Sequence, residues 1–334
     1  MTITDIAKIS GVGVSTVSRV INNHPDVKAE TREKVLGIIK EYNYVPNNSA
    51  RILKQSNTKN IGILVKGVFN PFFSAILKNI STSVEGAGYT MILQHHNNPN
   101  DLDTLVGFIK EKKLQGVICL GGNFIDIKEE SFDDLEVAIV LLCVNMKTQK
   151  AWNSFSTIGI ADDNAAYEAT NYLIQNGHRN ICIMLGDKDD LGVGVIRYEG
   201  YKKALEDNGL ETKDHYLIYG EYEINKAYER ATAFLKENKE VTAIFAISDM
   251  MAIGVAKAVV NLGLRIRDDI SIVGFDGMDV AKYYEPTLTT VKQPKDELSK
   301  MSVDLLFELL SGESQNKHIV LDVELLEGNS TKKI

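Results

Sequence analysis

The sequence predicts an α/β protein of 334 residues in which a small helical unit precedes two doubly wound lobes. Three observations predict it. Short apolar runs alternate with amphipathic stretches from residue 61 onward, the residues before that point carry helical patterns only, and charge is divided between the two parts. Residues 1 to 60 hold six lysines and three arginines against two aspartates and three glutamates, a net +4, which leaves −12 for the rest of a chain of net charge −8. An acidic body repels nucleic acid, so any such contact is confined to the basic segment, where Lys and Arg replace phosphate counterions.

In that segment Thr2 with Asp5 forms a capping-box pattern, and Ile6, Ala7 and Ile9 line one face up to Gly11, which stops the helix. Residues 13 to 22 form a second short helix lined by Val14, Val17, Val20 and Ile21, ended by the Asn-Asn-His-Pro stretch. A third, over residues 30 to 42, is expected to bury Val35, Leu36, Ile38 and Ile39. Two short helices joined by a tight glycine turn and backed by a third make a helix-turn-helix. A helix entering the major groove must bring its backbone near base edges. Val14, Ser15, Thr16 and Ser18 are small enough for that, and Arg19 is long enough to reach guanine O6 and N7. A plain three-helix packing module with a solvated arginine fits the same pattern.

Residues 46 to 60, PNNSARILKQSNTKN, read as a linker. Only Ala50, Ile52 and Leu53 are apolar, too little for one or two helical turns to persist alone, so the segment either folds against something or stays a tether. From residue 61 the runs IGILV, TMILQ, GVICL, AIVLLC, ICIML, AIFAI and SIVGF read as strands, separated by helices such as 74 to 87 and 167 to 176. Ligands of open α/β sheets sit at the carboxyl ends of strands. The residues there include NPFF (70 to 73), Asp187 to Arg197, Tyr222 and Glu223, Ser248 and Asp249, and Asp276. Aromatic rings with an arginine and carboxylates suit a small polyhydroxylated or heteroaromatic ligand, although Phe72 and Phe73 also fit a core, and Asp249 and Asp276 fit helix caps.

The stretches TxxDIAKxxGVxxSTVSRVIN, TREKVLGIIKEYNYVPNNSARILK and NIGILVxxxxNPFFSAI, followed by ADDNAAYEATNYLIQNGHRNICIMLG, RYEGYKKAL, AIFAISDMMAIGV, SIVGFDGMDVAKYYEPTLTTVKQP and a closing strand near 319 to 326, resemble the lactose and galactose repressor family of bacterial transcription regulators along most of the chain. Gly13 and Lys28 stand where that family commonly has serine helix caps. The resemblance implies a helix-turn-helix domain over 1–45, a hinge helix and linker over 46–60, and an effector-binding and dimerisation core over 61–334 resembling periplasmic binding proteins. Lobe one would hold about 61–160 and 291–320, lobe two about 161–290 and 321–330, joined by crossings near 158–162, 288–293 and 319–323. Val14, Ser15 and Arg19 match operator-reading positions, and Leu53 matches the minor-groove wedge with Ala50 near the groove floor. Thr4, Thr16, Ser18, Asn22, Asn48 and Lys54 complete the expected DNA-binding set. Phe72, Phe73, Arg197, Tyr222, Ser248 and Asp276 match effector-contacting positions.

The function so implied is a DNA-binding regulator, a repressor, controlled by a sugar or sugar derivative bound between the lobes. The partners are double-stranded operator DNA and a second copy of the chain, since no leucine heptads follow the last strand pattern to build a tetramerisation bundle. The alternatives are a sugar-binding transport protein and a co-repressor-dependent purine-type or catabolite regulator. An enzyme is disfavoured, for no G-x-S-x-G elbow, P-loop, full G-x-G-x-x-G or H-E-x-x-H occurs. No cofactor and no metal are expected: His95 and His96 are adjacent on a strand and point opposite ways, and the odd, scattered Cys119, Cys143 and Cys182 read as buried thiols. Without an apolar run of about 18 residues or an export signal, no membrane association and a cytoplasmic location are expected.

Overall fold

A computed structural model describes residues 2–21, 24–42, 59–67, 71–146, 153–189 and 191–334. The chain divides into two compact units, one ending at Thr58 and the other starting at Lys59. Most of the expected hinge, residues 46–58, lies outside the described residues, and its last residue, Asn60, already opens the first strand.

The N-terminal unit contains α1 (Ile3–Ser10), α2 (Val14–Ile21) and α3 (Ala29–Glu41). The capping box is present: Thr2 N–H donates to Asp5 Oδ2 at 2.8 Å, and Asp5 N–H donates to Thr2 Oγ1 at 3.3 Å. Gly11 ends α1 with φ +66°, a left-handed conformation that glycine adopts without penalty, and so turns the chain directly into α2. Gly13 supplies the carbonyl that accepts from Thr16 and Val17, so α2 begins without a side-chain cap, and Lys28 likewise gives α3 no side-chain cap bond. The core is Ile6, Ala7, Val17, Val20 and Val35. It is narrower than the periodicity predicts. Leu36 is 47% exposed because α3 meets its neighbours along the Val35–Ile38–Ile39 edge only, and Ile9 is 44% exposed because α1 turns Ile6 and Ala7 inward instead.

The second unit contains two six-stranded sheets. The first has the order β11-β5-β4-β3-β1-β2, all parallel, from β1 (Asn60–Lys66), β2 (Thr90–His96), β3 (Gly116–Leu120), β4 (Ala138–Leu142), β5 (Ser156–Ile160) and β11 (His318–Leu321). Its helices are α4 (Pro71–Gly86), α5 (Asp101–Lys112) and α11 (Lys295–Ser311). The second has the order β12-β10-β9-β8-β6-β7, from β6 (Ile181–Leu185), β7 (Leu217–Tyr219), β8 (Ala243–Ala246), β9 (Ser271–Asp276), β10 (Thr289–Lys292) and β12 (Glu324–Leu326). Only β12 runs antiparallel to its neighbour. Helices α6 (Asp162–Gln175), α7 (Val193–Asp207), α8 (Ile224–Glu237), α9 (Asp249–Asn261) and the short α10 (Asp279–Tyr283) belong to this lobe. In both lobes the order reverses beside the first strand, which opens a crevice at the carboxyl ends of the strands.

Alternation along the central strands assigns each side chain to a face. Ile61, Ile63 and Val65 enter one core of the first lobe, while Leu64 enters the core on the other face. Sequence-based lobe limits shift slightly. Val291 and Lys292 sit in β10 and belong to the second lobe, whereas Leu321 pairs with Ile160 in the first. The single closing strand expected near 319 to 326 is two strands in different sheets. The chain also stays on the second lobe beyond residue 330, where Ile334 N–H donates to Asn176 O at 2.8 Å.

Helix pairs α6/α7 and α8/α9 meet through glycines. A Cβ at Gly200 would lie 2.1 Å from Asp163 O, and one at Gly254 would lie 2.5 Å from Ile224 O and 2.8 Å from Ala227 Cβ. Backbone cannot step aside cheaply, so Gly254→Ala should destabilise the second lobe by overpacking, by about 1–3 kcal/mol. Urea denaturation checks this; an unchanged midpoint would mean that the helices part freely.

Candidate effector site and DNA-facing surface

On the N-terminal unit, α2 turns Val17 and Val20 inward and leaves Val14, Ser15 and Arg19 exposed, with Thr16 and Ser18 half-buried. Thr4 is exposed on α1. Small side chains and one long cation therefore share the surface that a groove would meet. Asn22, Asn48, Ala50, Leu53 and Lys54 lie outside the described residues.

In the second unit Asp162, which follows β5, and Asp276, which ends β9, both act on one arginine, and Asp249, which follows β8, acts on Asp276. Arg197, on α7, is 6% exposed; its Nε donates to Asp162 Oδ1 at 2.8 Å, its Nη1 donates to Ile247 O at 2.8 Å, and its guanidinium lies 3.6 Å from the centre of the Phe275 ring. Burial alone would lower its pKa, but Asp162, Asp276 and Tyr222 raise it overall, so the cation is secure. Burial pushes Asp162 up, and Arg197 pulls it back. Asp276 ends β9 with φ +106°, which swings its carboxylate off the strand; it is 3% exposed and accepts from Gln293 Nε2 at 2.8 Å. Burial pushes Asp276 up to about 8 against the pull of Arg197, with the neighbouring Asp249 adding to the rise. Asp249 accepts from Thr290 Oγ1 and Met278 N–H, both at 2.6 Å, and burial raises it to about 7.

The expected residues separate on this frame. Arg197 and Asp276 belong to the cluster through charge interaction, and Tyr222 is close enough to act on Arg197. Tyr222 is held at φ +54°, its ring against Gly186, where a Cβ would lie 2.0 Å from Cε2. Ser248 is buried and caps α9 by accepting from Met251 N–H at 3.3 Å, a role that the sequence pattern fits to Asp249 or Asp276. Phe72 takes the core alternative: α4 presents positions 72, 76, 80 and 84 to the sheet, so Phe72 is 2% exposed in the lobe-one core. Phe73, one position on, is half-buried against Gly121 at the end of β3.

Sequence reasoning missed four residues. Asp162 looks like an ordinary helix start. Gln293, 3% exposed, follows β10 in the quoted VKQP stretch, and its buried Oε1 has no hydrogen-bond partner among the described residues. Cys143 is only half-buried, unlike Cys119 and Cys182, and stands at φ +55° after β4, where Asp162, Arg197 and Asp276 all act on its thiol. Asn145 bridges the lobes, its Nδ2 donating to Leu191 O at 2.6 Å. Cavities of about 790 and 420 Å³ lie elsewhere, along α6 and α7 and beside the crossing strands, and neither is lined by Arg197 or Asp276. Charge and hydrogen-bonding capacity converge at the strand ends instead. The described residues contain no group of three or more His, Cys, Asp or Glu able to hold a metal, and none of the described helices is long and apolar enough to cross a membrane.

A basic three-helix unit with a groove-ready helix, joined to a two-lobed sheet core with a buried ionic cluster at its strand ends, defines a ligand-controlled DNA-binding protein. Residues 2–47 match the bacterial regulatory proteins of the lacI family, and residues 170–331 match the periplasmic binding protein-like domain. The HTH-type transcriptional regulator MalR of Clostridium butyricum is 56% identical over 332 residues, covering 99% of both chains. Among solved structures, the complex of the transcriptional regulator CelR with cellobiose is 28% identical with a TM-score of 0.71. The lac repressor dimer bound to operator and the anti-inducer ONPF is 26% identical with a TM-score of 0.74, each covering 99% of both chains. The chain belongs to the lacI family of bacterial regulatory proteins: it is a DNA-binding transcriptional repressor controlled by a small-molecule effector, not an enzyme.

The raised Asp276 pKa makes a signed prediction. Its folded value lies above the ordinary carboxylate value, so its protonated form contributes stability that is complete below about pH 4 and lost as pH rises through about 8. Asp276→Asn does not titrate, so its stability relative to the native protein should rise between about pH 5 and pH 8. Urea denaturation at both pH values measures this; a constant difference would place Asp276 in a solvated setting.

Proposed function

We propose that this repressor binds a near-palindromic operator as a homodimer in the cytoplasm and that a carbohydrate held at the buried cluster changes its DNA affinity. The observation that carries the effector reading is the row Arg197, Asp276 and Gln293: a cation, an acid and an amide with a spare buried acceptor, converging at the strand ends. Vicinal hydroxyls both donate and accept, so a sugar can satisfy all three at once. The CelR complex with cellobiose supports a sugar as the ligand class, and the lac repressor dimer on its operator supports both the dimer and the DNA partner.

On the DNA side, Arg19 reads a guanine from α2 while Ser15 and its small neighbours permit close approach. Leu53 and Ala50, in the proposed hinge, act at the minor groove. Linkage requires only that the sugar favour one lobe arrangement over the other. Thermal denaturation against monosaccharides, disaccharides including cellobiose, sugar phosphates and purines identifies the ligand, since 100 times Kd adds about 2.7 kcal/mol. With that ligand, Asp276→Ala should lose the response of operator affinity to effector while binding operator near the native level without it. An operator titration with and without effector checks both proteins. A full response in the variant would remove Asp276 from the site, and a purine as the stabilising ligand would replace the carbohydrate reading.

A further inference from the structure

We infer that Asp26 is the residue that positions Arg19 for base readout, so that operator specificity resides in a pair and not in the arginine alone; this rests on the reading of Arg19 as the base-contacting residue. Arg19 sits in the last turn of α2, and Nη1 of its guanidinium donates to Asp26 Oδ2 at 3.0 Å. Asp26 is the one hydrogen-bond partner of that guanidinium among the described residues. The other carboxylate oxygen, Oδ1, lies 2.6 Å from His24 Nδ1. A carboxylate only accepts, so Nδ1 carries the hydrogen.

The carboxylate is fixed by the turn that bears it. His24 N–H donates to Arg19 O at 2.9 Å, which ties the turn to the end of α2, and Arg32 of α3 donates through Nη2 to His24 O. The turn is thus held from both neighbouring helices, and Asp26 from both of its oxygens. Arg19 and Asp26 side chains are 59% and 46% exposed, so the pair adds little to folding stability. Its effect is orientational. A guanidinium offers donors along fixed edges, and occupying Nη1 leaves the Nε and Nη2 edge for a side-on bidentate contact to guanine O6 and N7. Without Asp26 the long side chain samples several rotamers, and ordering it on DNA costs more for the specific contact than for diffuse phosphate attraction.

The test uses the full chain and selection from random DNA to find the operator, followed by titrations on the operator and on its single-base variants. Arg19→Ala identifies the base pair that Arg19 reads. At that base pair Asp26→Asn should reduce discrimination by about threefold to fivefold, the range that coupling through an exposed ion pair allows. Asp26→Glu should retain part of the discrimination, and in an Arg19→Ala background Asp26→Asn should change nothing further at that position. Thermal melting should be the same for all variants, separating readout from folding. The proposal is overturned if Asp26→Asn tightens binding to every sequence alike and leaves discrimination intact, which would make Asp26 a charge that repels phosphate. It is also overturned if the effect persists with Arg19 already removed. If Arg19→Ala leaves every base preference unchanged, the operator reading falls, and this proposal with it.

Discussion

The buried pair of Arg197 and Asp162 is the interaction on which the second unit depends. Both are more than nine-tenths buried, and removing one partner of such a pair costs about 3–5 kcal/mol because a charge is left without compensation. The surrounding fold supplies what makes the burial tolerable. Asp162 and Asp249 occupy first turns of α6 and α9, where helix N-termini favour negative charge, and Arg197 lies over Phe275, whose ring face is electron-rich. Strand ends at Ile247 and Asp276 close the remaining sides. A well-packed apolar cluster would cost less here, and under the proposed function the polar cluster is kept for the ligand it would hold.

The charge balance of that cluster carries over to function. Asp162 and Asp276 act on one arginine, Asp249 acts on Asp276, and burial drives Asp249 and Asp276 toward the protonated form. A protonated acid donates as well as accepts, and beside it Gln293 keeps one acceptor in reserve. Across the crevice, Cys143 and Asn145 approach from the first lobe, and Asn145 already reaches Leu191 of the second. A ligand that hydrogen-bonds to the cluster therefore acts beside contacts that join the lobes. The lobes are otherwise linked by three chain crossings, near residues 160–162, 292–295 and 321–324, so small changes at the crevice act on their relative arrangement.

Much of this architecture was legible in the sequence for a simple reason. Central parallel strands are buried on both faces, so GVICL, ICIML and SIVGF stand out as continuous apolar runs, and their carboxyl ends locate the crevice. Most edge strands carry a weaker mark. The three residues of β12 are too short to signal alone, and β11 and β12 merge into one expected strand because only two residues separate them. Within the site, Arg197 and Asp276 announce themselves as charges at strand or helix ends. Gln293 and Cys143 do not, because their roles come from neighbours brought in by the fold. Phe72 and Phe73 are adjacent and chemically identical, and only the helical phase of α4 decides which is core.

The account turns on one free energy, the coupling between the crevice and the basic N-terminal unit. Binding free energies are reciprocal, so an effector that changes operator affinity by some factor must see its own affinity changed by the same factor when operator is bound. The most direct measurement is calorimetric titration of the effector into the full chain, free and operator-bound, beside operator titrations with and without effector. The account predicts equal factors. An effector affinity that operator leaves untouched would contradict it and reduce the buried cluster to a structural feature of the second lobe.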